Sequence, residues 1–115
     1  MRIGANSGSK ATFLFLYAQI SSFRSTPAEA WGVLRDAQRR TLFVRNTGMA
    51  VTLDVGNPDD VHPADKETVG HRLALLAEEI AYGKPINASG PLFLRADIEG
   101  TSIRLRFSSK DLVCK

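Results

Sequence analysis

A single cysteine, Cys114, stands next to the last of 115 residues, so no intrachain disulfide is possible and cysteine usage gives no clue to a redox compartment. Long runs of one charge are missing as well. Lys and Arg number 15 against 12 Asp and Glu, and the resulting +3 is spread along the chain and singles out no partner. No apolar run is long enough to span a bilayer; the strongest, Ala11 to Ile20, has about ten residues. Arg2 and Lys10 precede it as they would in an export signal. However, the following Ser21-Ser22-Phe23-Arg24 lacks a small-x-small cleavage pattern, so the run reads as a buried, aromatic-rich strand. With two histidines and no cysteine near either, no complete ligand set for a metal is legible, and no cofactor is expected. Internal repeats and low-complexity tracts are absent.

What is present is enough for one modest core, because 43% of the residues are hydrophobic. After the first strand, Thr26-Pro27 opens a segment from Ala28 to about Phe43. Ala30, Trp31, Leu34, Ala37 and Leu42 suit one helical face there, with Arg35, Asp36, Arg39 and Arg40 opposite. Arg45-Asn46-Thr47-Gly48 breaks this helix, and Met49 to Val55 reads as a second, doubly buried strand closed by Gly56-Asn57-Pro58. Thr68 to Tyr82 is helical, with Val69, Leu73, Leu76, Ala77 and Ile80 forming the buried stripe and Gly83 as the stop.

Strand, helix, strand, helix with apolar strands implies an α/β fold with a parallel sheet covered by helices. Two strands are few for such a sheet, so an uncovered sheet edge and open apolar helix faces are expected, together with a missing upstream part. Lys84-Pro85 and Asn87-Ala88-Ser89-Gly90-Pro91 have linker composition, and Leu92 to Phe107 then reads as a hairpin turning at Glu99-Gly100. The expected division is an irregular stretch over 1–11, an α/β unit over 12–84, and a linker with the start of a β-rich region over 85–115.

Chemistry is concentrated in Asp54-Val55-Gly56-Asn57-Pro58-Asp59-Asp60-Val61-His62-Pro63, just past the carboxyl end of the second strand, where open α/β sheets place their sites. Asp59 and His62, three residues apart, suit the orienting half of a nucleophilic triad. The carboxylate accepts from one imidazole nitrogen, and the other faces outward as a general base. A bare Asp-x-x-His equally fits a solvated loop acid, a helix-capping Asp or a surface histidine. His71, beside Arg72, reads as a solvated helix residue. A nucleic-acid role for Arg35, Arg39, Arg40 and Arg45 is disfavoured because Asp36 interrupts the patch.

Asn46 to Asp54 followed by Asp59-Asp60-Val61-His62-Pro63 resembles the last catalytic block of sialate O-acetylesterases, in the SGNH hydrolase superfamily. Phe15 to Phe23, Trp31 to Arg39, Val69 to Ala74, Tyr82-Gly83 and Ser89 to Leu92 extend the resemblance over roughly Thr12 to Phe107. It implies the last strands and helices of a flavodoxin-like three-layer SGNH domain, followed by a hairpin from a β-rich C-terminal region. It also implies removal of O-acetyl groups from sialic acid or another acetylated sugar, with His62 as base and Asp59 orienting it. Asp54 and Asp60 receive no role by this carry-over. The serine nucleophile and oxyanion donors that the family needs have no counterpart; Ser7-Gly8-Ser9 lacks the strand that precedes a nucleophile turn. The chain is therefore expected to be a C-terminal piece that needs the missing N-terminal part of the esterase domain and is inactive alone. Neither a nucleic acid nor a membrane is expected as partner. Family members are often secreted, periplasmic or lysosomal, but the chain itself fixes no compartment. The alternative is a non-enzymatic interaction or carbohydrate-binding remnant of the same scaffold.

Overall fold

The computed structural model describes residues 13–108. The expectations for Ser7-Gly8-Ser9, for the irregular stretch 1–11 and for Cys114 lie outside them. Strand β1 (Phe15–Ala18) pairs in parallel with β2 (Thr47–Ala50), with Phe15 opposite Thr47 and Ala18 opposite Ala50. Helix α1 (Trp31–Arg40), continued by a 3-10 turn over Thr41–Phe43, makes the crossover between them. Helix α2 (Lys66–Ile80) packs on both strands. The chain then passes into an antiparallel hairpin of β3 (Phe93–Glu99) and β4 (Ser102–Phe107), turning at Gly100 with φ +60. The architecture is mixed α/β, with two two-stranded sheets.

The core forms where α2 meets β2. Met49, Ala50 and Leu76 are its buried apolar side chains, and Val69, Leu73, Ala77 and Ile80 lie half-buried along the stripe expected for α2. Gly48 permits this approach: a Cβ there would fall 2.8 Å from both Ile80 Cδ1 and Leu16 Cδ2. Helix α2 begins two residues earlier than expected because Asp65 caps it, accepting from the Thr68 amide at 2.9 Å and the Thr68 hydroxyl at 2.6 Å. It ends at Ile80, two residues short of the expected Tyr82, and the chain turns at Gly83 with φ +63.

Several expectations need correction. The first strand is not buried, since Phe15 and Ala18 are exposed and Leu16 and Tyr17 half-buried. Strand β2 covers Thr47–Ala50 rather than Met49 to Val55. The ladder ends where the Gln19 amide donates to the Ala50 carbonyl at 2.9 Å, and beyond it the buried Thr52 hydroxyl donates to the Gln19 carbonyl, replacing a backbone donor with a side chain. Helix α1 starts at Trp31, not Ala28, because the Ser25 hydroxyl accepts from the Glu29 amide at 2.9 Å and from Trp31 Nε1 at 3.1 Å, holding the lead-in as a turn. The face of α1 that meets the rest of the molecule is also polar. Leu34 and Ala37 are exposed, whereas Arg35 and Gln38 reach the segment after β1. Asp36 binds Arg39 and Arg40, each at 2.8 Å, so those two cations of the expected patch are paired on the helix itself.

Uncovered apolar surface, expected from the shortage of strands, is present. Phe13, Val33 and Phe43 are exposed around the parallel sheet, as are Leu94, Ile98 and Ile103 on the hairpin. The hairpin was expected to have one wet face, but both are exposed. Its order comes from cross-strand pairs, including Arg106 to Asp97 at 2.8 Å and Arg104 to Glu99 at 2.8 Å.

Candidate active site

The loop from Leu53 to Pro63 leaves the carboxyl end of β2 and contains almost no regular structure, so side-chain bonds and contacts with the segment after β1 must hold it. Asn57 starts a turn in which its carbonyl accepts from the Asp60 amide at 3.3 Å and its side-chain oxygen accepts from the Asp59 amide at 2.9 Å. Asp60 then repeats the device: its Oδ1 accepts from the His62 amide at 2.9 Å and lies 3.0 Å from His62 Nδ1.

The structure thus does not bring Asp59 and His62 together as the spacing suggested. Asp59 lies in the middle of the turn, where its carboxylate points outward and meets Arg24 Nη2 at 3.4 Å. The partner of His62 is Asp60, which the family resemblance left without a role. The reason is local: an Asp two residues before a given amide can bond that amide through its side chain, and the same oxygen then stands beside the imidazole. The Asx-turn preference of Asp is the sequence signal that could have pointed to Asp60.

Electrostatics follow from this geometry. The bond from the His62 amide, reinforced by the ring nitrogen, holds the Asp60 carboxyl below its ordinary range, so it is ionised at neutral pH. An ionised carboxylate only accepts, so a neutral His62 must carry its proton on Nδ1 and keep the Nε2 lone pair free. Such an imidazole has the geometry to take a proton from a hydroxyl at Nε2. Among the described residues, no hydroxyl is hydrogen-bonded to His62.

Several residues without a sequence-predicted role at the site build the platform for this loop. The Ser21 hydroxyl, on a residue only 3% exposed, donates to the Val61 carbonyl at 2.7 Å. The Ser22 hydroxyl donates to the Leu53 carbonyl at 2.6 Å, and the Arg24 amide donates to the Pro58 carbonyl at 2.9 Å. Arg35 fixes the platform from α1, through Nε to the Ile20 carbonyl at 3.1 Å and Nη2 to the Ser21 carbonyl at 2.8 Å. Nothing in their spacing marks these residues, because their partners are backbone carbonyls far along the chain.

A second anchor lies on α2. Arg72 forks onto Asp54 with contacts of 2.7 and 2.6 Å, and also donates to the Val51 carbonyl at 2.6 Å. This bidentate pair holds the Asp54 carboxyl down to about 2 and raises the Arg72 guanidinium further. It borders a depression of about 530 Å³, shared with Val51, Asn87 and Ser89. His62 lies outside that depression, on open surface. His71 is exposed on α2. Among the described residues, no group of three His, Cys, Asp or Glu side chains is placed to hold a metal, and no helix is long and apolar enough to cross a membrane.

Comparison with known proteins gives a consistent picture. No protein-family model matches the chain. Over 52 residues, 41% of this chain, it is 46% identical to the sialate O-acetylesterases of Mus musculus and Homo sapiens. The chain spans about 10% of the length of these curated relatives. A carbohydrate acetylesterase from Xanthomonas citri superposes with a TM-score of 0.77 at 41% identity, over 83% of this chain and 23% of that one.

Proposed function

We propose that this chain, sialate O-acetylesterase-like in sequence and in fold, supplies the base and its orienting acid to a carbohydrate O-acetylesterase site. The observation that carries the proposal is the imidazole of His62, held through Nδ1 by a carboxylate with Nε2 left open, at the carboxyl end of a parallel strand. In this reading residues 12–84 belong to a flavodoxin-like SGNH esterase domain, and 85–115 hold a linker and part of a β-rich region. The exposed apolar faces around β1 and α1 are where the rest of the domain would pack. A serine on that remainder would attack the acetyl carbonyl while His62 Nε2 takes its proton. The proton would pass to the sugar oxygen as the ester C–O bond breaks, and water would release acetate from the serine in a second round. The substrate class is a sugar acetyl ester, on sialic acid or another acetylated sugar. In this reading the nucleophile and the oxyanion donors come from that remainder, and the chain alone would not turn over.

The orienting acid has two candidates. The resemblance selects Asp59, whereas the 3.0 Å contact favours Asp60. The test is a chimera in which residues 13–108 replace the matching segment of the Xanthomonas citri enzyme, assayed on a chromogenic acetyl ester and on O-acetylated sialic acid. Hydrolysis is expected in the chimera and not in the chain alone. His62→Ala should lower kcat by roughly 10⁴-fold or more. Of Asp59→Asn and Asp60→Asn, the true orienting acid should show the larger loss. A His62→Ala chimera as active as its parent would refute the assignment. Sugar binding without turnover would favour the non-enzymatic scaffold instead.

A further inference from the structure

We propose that Ser21 is a positioning residue for His62, fixing the peptide plane from which the imidazole projects and so keeping Nδ1 on Asp60. The inference rests on the reading of His62 as the base, but its test does not depend on ester hydrolysis. The Val61 carbonyl and the His62 amide belong to one planar peptide unit. That unit is pinned at both ends: the Ser21 hydroxyl donates to its oxygen at 2.7 Å, and its N–H donates to Asp60 Oδ1 at 2.9 Å. With the plane fixed, the N–Cα bond from which the His62 side chain projects is fixed, and the ring stands where Nδ1 meets the same Asp60 oxygen at 3.0 Å. Asp60 alone cannot do this, because it belongs to the same loop and would move with it. Ser21 supplies the external reference.

That reference is itself rigid. Ser21 is 3% exposed, and its own carbonyl is held by Arg35 Nη2 at 2.8 Å. The neighbouring Ile20 is clamped on both sides, its amide to Gln38 Oε1 at 3.0 Å and its carbonyl to Arg35 Nε at 3.1 Å. A chain of fixed contacts therefore runs from α1 through Ser21 to the peptide of His62. The His62 ring is exposed and has no other described partner, so its orientation depends on this route.

The experiment is nitrogen-15 NMR of the histidine rings in the full 115-residue chain, at a pH well above the ordinary imidazole range. The unsubstituted protein should show His62 as one dominant tautomer, protonated on Nδ1. Ser21→Ala should lose that dominance and give a tautomer mixture close to that of exposed His71, with the amide resonances of Met49 and Leu76 unmoved. Ser21→Thr, which restores a hydroxyl, should recover the parent signature. If Ser21→Ala disturbs the core resonances, Ser21→Cys, close in size and a weak donor, should still shift the ratio. Either variant retaining the parent tautomer ratio with an intact core would overturn the proposal. A shifted ratio in Ser21→Ala, beside a chimera that hydrolyses no ester, would uphold the positioning role and sink the esterase reading instead.

Discussion

Replacing Gly56 with alanine should loosen the loop that carries His62, and the geometry sets the size of the effect. The added Cβ would lie 2.4 Å from the Ser22 amide nitrogen, 2.6 Å from its carbonyl oxygen and 2.7 Å from its Cβ, two of these being backbone atoms that no rotamer change can move. Gly56 has no positive φ, so backbone strain plays no part and the argument is steric alone. Reaching ordinary contact at 3.4 Å requires the two segments to part by about 1 Å. If they part as rigid pieces, the bonds of Ser22 to Leu53, Ser21 to Val61 and Arg24 to Pro58, now 2.6, 2.7 and 2.9 Å, stretch to about 3.6–3.9 Å and are lost. At about 1 kcal/mol for each net bond, the cost is about 3 kcal/mol, within the range for overpacking. The check is urea unfolding followed by tryptophan fluorescence, with amide spectra read at Val61 and His62. A Gly56→Ala protein with an unchanged midpoint and unchanged loop resonances would refute the reasoning.

Thr52→Val keeps the shape of a residue 1% exposed but removes the hydroxyl that the Gln19 carbonyl accepts from. It should destabilise by about 1–3 kcal/mol in the same unfolding assay, and no change would mean that the carbonyl finds another donor. The pH dependence follows from Asp54, whose folded pKa of about 2 lies below its ordinary 3.8. The folded state therefore binds fewer protons in that interval, so the stabilisation is full above 3.8 and fades as pH falls towards 2. Asp36, Asp60 and Asp65 are shifted the same way and add to the trend. Asp54→Asn should flatten the acid limb of a stability–pH curve, and an unaltered limb would show that the Arg72 fork contributes nothing in solution.

Hydropathy patterns located both helices, the first strand and the hairpin, although only α2 buries the stripe that its spacing marks. Gly83 and Gly100 were legible as stops because their backbone conformations favour glycine. The misses share a cause. Strand β2 ends early because Thr52 offers a side-chain donor, and α2 starts early because Asp65 reaches Thr68; both substitute side-chain bonds for the backbone pattern that hydropathy tracks. The position of His62 after a strand end was legible for the same topological reason that such loops carry sites. Its partner was not, because an Asx turn decides between adjacent carboxylates at a scale below that of periodicity. Arg35 was assigned to solvent by its charge, yet its guanidinium serves carbonyls left over where β1 ends.

The bond between Ser21 and Val61 joins residues 40 apart in sequence, so it closes a large loop that contains all of α1 and β2. Closure entropy grows only with the logarithm of loop length. Ten residues inserted in that interval, sparing the local turns, would therefore cost only about 0.2 kcal/mol. The placement of the histidine is accordingly insulated from the length of the chain that connects it to its support. Relatives could lengthen the crossover outside the turn that carries Arg35 and Gln38 while leaving the imidazole where it stands.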